Sequence, residues 1–593
     1  MSTAPAPPHS GSAHAPDPGP DGGGRASRVV LAAILVGGAC LRVVGLDFGL
    51  PLLHARPDES LLLRIAMGFG TGDLNPHSFH YGTLWPYALF VAYGAFLVLG
   101  LVTGRFEGVG DLIALYDFDP SPLIWIGRAL SASAGTVTLW CVARAGSVLV
   151  DRSTGLCAAA LLGVTYLHVR DSHFATTDVP MTALLCAGLL CLALALDRGR
   201  LRDYVWAGVF AGLAASTKYA GAFLLPAALW MHGVRLRREG GTLAAVPDRR
   251  LVALGAAFAL AFLAGTPFAL LDSASFVRDV LAESRHLLEG HHVDLPRGWW
   301  QHPTVSLRYG MGLPLLGLGV IGLGGLVWRR PAAGVLLVAF PLVYCLTLAA
   351  GRTVFVRYAI PLLPFLCVGA AFAVGGLARA VARRVGPGLE PWLRVALCAL
   401  LAVPSLARVA AFDRVLLARD NRLVVQAWVE ANLPPGSRLA QLAPGGFMQG
   451  PQWARVPLSP APDPLEAALE GLVASGRSER RLRVWLERLR AERGPVFEEV
   501  FYAARAERFE TVLGEPCEPP AYLLVASHPI RRLGEPSTLP QGYRLVRRFE
   551  ATRPDDDAVF DHQDAFFVPY AGFGATERPG PNYALYAYAP AGG

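Results

Sequence analysis

Lysine is all but missing from this chain: among its 53 basic residues, Lys218 alone is not an arginine. Charge is scarce altogether, at 17% of 593 residues, against about 25% in an average soluble domain. Together with 53% hydrophobic residues, that deficit is what a chain partly dissolved in lipid shows. The net charge of +7 comes from arginines spread between apolar runs, not from one basic face, which excludes a nucleic-acid footprint. Eight of the nine cysteines (Cys40, Cys141, Cys157, Cys186, Cys191, Cys345, Cys367 and Cys398) fall in apolar runs, as small buried hydrophobes do. Only Cys517 lies in a polar region, so no disulfide framework is implied. Zinc-type ligand spacing is absent as well. His291-His292 has no further ligands at the right distance and reads as loop. Gly317-x-Gly319-x-x-Gly322 fits the dinucleotide fingerprint but lies in an apolar run with no strand before it, so it reads as helix-packing glycine.

Spanning a hydrocarbon core takes about 20 apolar residues. Eleven such runs are present, near 28–46, 122–149, 154–170, 178–196, 203–217, 219–235, 251–271, 308–328, 332–350, 358–378 and 392–411. Arginine clusters such as Arg198/Arg200/Arg202, Arg235/Arg237/Arg238 and Arg379/Arg383/Arg384 separate alternate runs. The positive-inside rule makes these loops cytoplasmic, together with the N-terminus. Residues 1–24 are too polar and too rich in proline and glycine to bury a core and read as a disordered cytoplasmic tail. The run from Val29 follows Arg25 and Arg28 without a cleavage site and reads as a retained first helix. The stretch 83–103 is apolar enough to span, yet counting it would put every arginine cluster outside. With Asp73 before it and Asp111, Asp117 and Asp119 after it, the segment is expected to lie in the outer interface or to re-enter without crossing. The expected fold is therefore mostly α: a polytopic membrane bundle of about eleven spans over 25–411, whose first outer loop is 47–120. A small extracytoplasmic α/β domain follows over 412–593, helical around 421–432 and 466–492 and strand-like at 521–526 and 542–548. Asp117-x-Asp119 and Asp555-Asp556-Asp557 match a D-x-D metal pattern but fall outside, away from nucleotide sugars. Only the first is kept as a metal candidate.

Ionisable groups within spans cost about 2.5–3.5 kcal/mol each at a helix centre and point to function by default. Here they gather at the outer helix ends: Asp58 and Glu59 after the first span, Arg128 opening the second, and Arg170, Asp171, His173 and Asp178 between the third and fourth. Lys218 lies where the fifth and sixth meet, which reads as two short spans or one broken helix, and Arg357 opens the tenth. A mixed-sign pocket at that level could hold a lipid phosphate together with a base. Lys218 could merely snorkel. However, a chain that writes arginine everywhere else keeps a compact ammonium here, which favours a site with no room for a planar fork. Asp178 could also cap the helix that it opens.

Five segments, in order, carry a resemblance: GLDFGLPLLHARPDES (Gly45–Ser60), RALSASAGTVT (Arg128–Thr138), RDSHFATTDVPMT (Arg170–Thr182), GLAASTKYAGAFLLP (Gly212–Pro226) and RYAIPLLPF (Arg357–Phe365). Over roughly 28–380 they resemble bacterial family-39-like GT-C glycosyltransferases, the broad group of protein O-mannosyltransferases and the lipid A aminoarabinose transferase. The tail from 412, with DNRLVVQAWVEANLPPGS (Asp420–Ser437), resembles the outer domain of many bacterial members. The resemblance implies that Asp58 is the catalytic base with Glu59 beside it. It further implies that Asp178 is the acid opening the fourth helix, Arg128 the arginine of the second helix and Lys218 the membrane lysine; Lys218, Arg128 and Arg357 are then the cations expected to hold the donor phosphate. His173, Arg170 and Asp171 are further pocket candidates. The very apolar 83–103 run departs from the family pattern.

A polyprenyl phosphate leaves already anionic, so the chemistry needs a base for the acceptor hydroxyl and cations for the phosphate, but no general acid. The expected protein is a bacterial inner-membrane glycosyltransferase that takes a sugar from a polyprenyl-phosphate donor at the outer face, with inversion. It requires no cofactor, and its acceptor is an unnamed protein, lipid or glycan. A flippase of lipid-linked sugars would carry polar groups near the midplane and internal repeats, neither of which is visible. A non-catalytic assembly protein would leave the lone lysine without a reason.

Overall fold

The computed structural model describes residues 22–242, 248–291, 293–442, 454–458, 497–503, 508–511, 515–530, 539–555, 557–564 and 566–589. Nearly all of the expected tail, and the helix expected over 466–492, lie outside the described residues. Helix α1 (Gly22–Val43) leads into a loop that holds α2 (Pro57–Gly68), α3 (Leu84–Val102) and α4 (Val109–Phe118). The bundle continues through α5 (Ser121–Leu149), α6 (Arg152–Val164), α7 (Tyr166–Ser172), α8 (Asp178–Arg198), α9 (Leu201–Thr217), α10 (Leu225–Arg238) and α11 (Arg249–Gly265). Short α12 (Phe268–Leu271) and amphipathic α13 (Ser273–Glu289) precede α14 (Gly298–Gln301), α15 (Arg308–Met311), α16 (Leu313–Arg329), α17 (Pro331–Ala350), α18 (Leu363–Val385) and α19 (Glu390–Leu416).

All eleven expected runs are helical. By length and composition six helices among the described residues can cross a membrane, Leu84–Val102 included, or seven if Gly298–Met311 and Leu313–Arg329, bent by 110°, form one span. The chain is a multi-pass membrane protein. Glycines set how closely its helices approach. A Cβ on Gly322 of α16 would stand 1.8 Å from the Gly369 carbonyl of α18, and one on Gly319 would stand 2.8 Å from the Leu366 carbonyl. The apparent dinucleotide fingerprint is therefore packing surface between two helices.

The runs around Lys218 are two helices and not one broken helix. Arg235 and Arg238 of α10 donate back to the Leu196 carbonyl at the end of α8, beside the start of α9. Lys218 therefore marks the apex of an α9–α10 hairpin, at the opposite end of the bundle, with extended backbone (φ −151°, ψ 128°). Arginines gather at the far end: Arg250 pairs with Glu239 at 2.5 Å, and Arg330 donates to the Val150 carbonyl at 2.7 Å.

Helix α3 starts at the Lys218 end. Thr83 Oγ1 donates to the Gly265 carbonyl at 2.6 Å, Trp85 Nε1 donates to the Ala175 carbonyl at 3.1 Å, and Leu89 and Tyr93 lie against Gly127. Helix α4 then delivers the chain to the start of α5, at that same end. The excursion from Leu84 to Pro120 thus starts and finishes at one end of the bundle, although α3 is long enough to cross a membrane.

After α20 (Asn421–Asn432), strands β1 (Arg438–Leu442), β2 (Glu498–Ala503), β3 (Arg508–Glu510), β4 (Pro516–Cys517), β5 (Tyr522–Ser527), β6 (Tyr543–Phe549) and β7 (Asn582–Tyr588) form a mixed sheet in the order β4-β3-β2-β1-β5-β7-β6. β1 runs parallel to β2 and β5, and the other pairs are antiparallel. One face buries Val425, Val429, Leu439, Leu524 and Phe567. The loop between β6 and β7 leaves this domain and sends Phe566, Val568, Tyr570 and Phe573 into the core of the helical bundle. Tyr570 anchors it by donating to the Ser306 carbonyl at 2.6 Å.

Single cysteines placed in 105–120 should label from the side that reaches the 421–589 domain, and cysteines in 235–250 only from the other side. Labelling of 105–120 together with 235–250 would mean that α3 crosses.

Candidate active site

The helix ends at the Lys218 end bring together charges that the sequence keeps far apart. Pro57 at the first turn of α2 fixes the entry of that helix and puts Asp58 and Glu59 on successive positions, about 100° apart around the axis. They consequently face different surroundings. Asp58 Oδ2 accepts from Arg357 Nη2 at 2.8 Å. Arg357 stands in a 3-10 turn (Val356–Leu362) ahead of α18, and its Nε lies 3.8 Å from Asp178 Oδ2. Asp178 does not cap α8. Its Oδ1 accepts from Lys218 Nζ at 2.6 Å, and that ammonium lies 4.4 Å from the centroid of the Tyr358 ring. Asp58, Arg357, Asp178 and Lys218 thus form one continuous relay of alternating charge.

Asp58, Tyr81, Arg357 and Tyr358 line a cavity of about 540 Å³, together with Leu61, His80, Glu283, His286, His291, Phe355, Gln563 and Asp564. Lys218 and Asp178 stand just behind Arg357 and Tyr358 and are not part of that wall. Burial, with Asp58 nearby, holds the Tyr81 hydroxyl well above its ordinary value. On the far side, His286 Nε2 meets His291 Nδ1 at 3.2 Å, and His80 lies 3.6 Å from Glu283.

Several expected residues lie elsewhere. Glu59 points away from the cavity and is 3% exposed; its oxygens take Arg128 Nε at 2.9 Å and Nη2 at 2.8 Å, and Oε1 also accepts from the Ala175 amide. Arg128 is fully buried, with Nη1 on the Leu46 and Phe48 carbonyls and its guanidinium over the Phe48 ring at 3.7 Å. All three of its nitrogens are engaged, so Arg128 offers nothing to a phosphate, and the pair is instead the rivet that holds the first loop to α5. Arg170 and Asp171 pair with each other at 2.8 Å in the core. His173 is tied to the Val169 and Val44 carbonyls, both at 2.9 Å. None of these three reaches the cavity. Asp119 accepts from Ser121 N and Oγ at the start of α5, which ties the D-x-D acid to a helix start. Among the described residues, no group of three or more His, Cys, Asp or Glu is placed to hold a metal.

Two participants were not foreseen. Asp564, in the β6–β7 loop, accepts from Arg357 Nη1 at 3.1 Å and from Arg56 Nη1 at 2.5 Å. Arg56 is fully buried between the Phe174 and Phe566 rings, 4.8 and 5.4 Å from their centroids. Burial raises the Asp564 carboxyl, but Arg56 and Arg357 more than offset this and hold it below the ordinary carboxylate range. Burial and the neighbouring Asp564 push Asp561 up to about 6. The signal available in the sequence was the run Phe560–Phe567, in which two acids sit among three phenylalanines. Acids in such company are rarely fully buried unless paired.

Residues 121–264 match the family model described as dolichyl-phosphate-mannose-protein mannosyltransferase, a segment that contains Arg128, Asp178 and Lys218. No curated protein matches the chain in sequence. Among solved structures it is similar to the oligosaccharyltransferase of Archaeoglobus fulgidus in the apo form (14% identity, 69% of this chain and 58% of that chain, TM-score 0.44). The chain therefore spans less than two thirds of that relative. It is also similar to ArnT from Cupriavidus metallidurans bound to undecaprenyl phosphate (15% identity, 85% and 93%, TM-score 0.46). A third similarity is to the protein O-mannosyltransferase Pmt1-Pmt2 complex of S. cerevisiae bound to the sugar donor (19% identity, 42% and 34%, TM-score 0.29).

Glu59→Gln leaves the Arg128 guanidinium buried without a counter-charge and should destabilise the fold by about 3–5 kcal/mol. Thermal unfolding in detergent measures this, and a melting temperature equal to wild type would refute the rivet.

Proposed function

We propose that this protein is a membrane glycosyltransferase that moves a sugar from a polyprenyl-phosphate-linked donor to a hydroxyl-bearing acceptor, with inversion. The observation that carries the reading is the relay Asp58–Arg357–Asp178–Lys218 at one helix-end level, with Asp58 facing a cavity of about 540 Å³. The family match over 121–264 supports it, since two members of the relay fall inside that segment.

In this reading Asp58 is the base. It is the carboxylate of the relay that reaches the cavity from the first loop, and its side chain is 24% exposed. It takes the proton of the acceptor hydroxyl while the acceptor oxygen bonds to the anomeric carbon and the bond from that carbon to the phosphate oxygen breaks. The electron pair leaves with the polyprenyl phosphate. A single displacement of this kind inverts the anomeric centre. Arg357 is the cation that lines the cavity and would receive the departing phosphate, with Lys218 behind Tyr358 as a second positive charge. Asp178 holds Lys218 and helps to orient Arg357. The activated bond arrives with the lipid, so the proposal asks for no nucleotide and no cofactor. The same reading puts the protein in a bacterial inner membrane, with the N-terminus cytoplasmic and the cavity and C-terminal domain outside. The acceptor is a protein, a lipid or a glycan.

Asp58→Asn keeps the side-chain volume and loses the base. Arg357 retains Asp178 and Asp564, so the variant should fold normally and lose about 10²–10⁴ in transfer rate. Turnover close to wild type, measured in detergent with a polyprenyl-phosphate sugar, would remove Asp58 from the role.

Lys218→Arg keeps the charge but must fit a planar fork into the slot between Asp178 and Tyr358. A misplacement of about 1 Å costs roughly 10²-fold, so the variant should insert normally and transfer poorly, with Lys218→Ala at least as impaired. Full activity in the arginine variant would reduce Lys218 to a snorkelling side chain.

A further inference from the structure

The loop of residues 561–564 belongs by sequence to the C-terminal domain, yet its bonds are made to the membrane half. Asp561 Oδ2 accepts from the Val356 amide at 2.9 Å. Gln563 Oε1 accepts from the Val354 amide at 2.7 Å, and its Nε2 donates to the Arg352 carbonyl at 2.9 Å. Asp564 then closes on the two guanidinium groups. Its Oδ2 takes Arg357, which itself holds Asp58, and its Oδ1 takes Arg56, which precedes Asp58 by two residues on the same backbone. The result is a closed ring that runs from Asp58 to Arg357, to Asp564, to Arg56 and back along the chain through Pro57. Asp564 is 4% exposed and Arg56 fully buried.

We propose that Asp564 is a positioning residue for the reaction: acting through Arg357 and Arg56 together, it sets where the base Asp58 and its partner guanidinium stand, so that the C-terminal domain completes the membrane site. The inference rests on the function proposed above. A guanidinium with one carboxylate removed from its surroundings turns towards those that remain. Without Asp564, Arg357 closes on Asp58 and Asp178, ties up the base and leaves the cavity wall. The role is therefore electrostatic and geometric, and differs from simple attachment of the domain, which Tyr570 and the apolar residues around it already provide.

The test is a double-mutant cycle on the full chain in detergent: Asp564→Asn, Arg357→Gln and the two combined, with Asp564→Glu as the conservative variant. Two readouts are taken on each protein: kcat and KM for transfer from a polyprenyl-phosphate sugar, and the rise in melting temperature caused by polyprenyl phosphate alone. Asp564→Asn should lose roughly 10²-fold, mainly in kcat. Asp564→Glu should recover part of that loss. The combined variant should lose clearly less than the product of the two single losses, because residues acting as one unit do not lose their contributions independently. Losses that multiply, or an Asp564→Asn protein with wild-type kcat, would overturn the positioning role while the wild type still transfers. A wild-type protein that neither transfers nor is stabilised by polyprenyl phosphate would overturn the proposed function, and the positioning role with it.

Discussion

The arrangement depends on one guanidinium. Arg357 is shared by Asp58 of the first loop, Asp178 of α8 and Asp564 of the C-terminal domain, at 2.8, 3.8 and 3.1 Å. Each of these groups would be expensive to bury alone, since a charge removed from water is tolerated only when paired and hydrogen-bonded. Together with Lys218 and Arg56, the cluster holds three cations and three carboxylates, so it stands as a neutral body in the low-dielectric end of the bundle. No part of that balance is local in sequence. The fold exists, in this respect, to bring a loop, two helix ends, a hairpin apex and a second domain to within one side chain of each other.

Neutrality also shapes what the site can bind. A phosphate that enters beside Arg357 adds negative charge to a cluster already in balance, so it must compete with a carboxylate for the same donors. In a low-dielectric setting each charge pair is strengthened and unbalanced charge is costly, so the carboxylate or phosphate with the shorter, better-aligned bonds prevails. Tyr358 and Phe355, packed over Lys218 and Arg357 at 4.4 and 4.0 Å, narrow the ways in which the two cations can re-aim.

Much of this was legible in the sequence because membrane insertion writes strong signals. Apolar runs gave the helices, and the arginines segregate to the end of the bundle away from Lys218, as their spacing in the sequence led one to expect. Lys218, the lone lysine, and Asp178 proved to be direct partners. What could not be read was direction. Asp58 and Glu59 are neighbours in sequence with equal formal claims, and only the rotation between successive helix positions sends one into the cavity and the other to Arg128. Arg128 matches the arginine of the resembled family and is costly at a helix start, two reasons to expect a phosphate ligand there. Its cost is met instead by Glu59, by two backbone carbonyls and by the Phe48 ring. Asp564 was out of reach for a different reason, since nothing in local pattern or periodicity ties a loop between two strands to an arginine hundreds of residues earlier.

The Arg56–Asp564 pair joins residues separated by 508 positions. A chain is made from its N-terminus onward, so the helices of the bundle must enter the bilayer and pack while Arg56 and Arg357 still lack this counter-charge. The half-made protein carries Arg56 without its ion-paired carboxylate, while Arg357 has only Asp58 and Asp178. Closure of the ring thus waits for a loop that is translated after every residue it secures. Removal of the β6–β7 loop would therefore act as a lesion of the bundle itself, although helices α1 to α19 would all be retained.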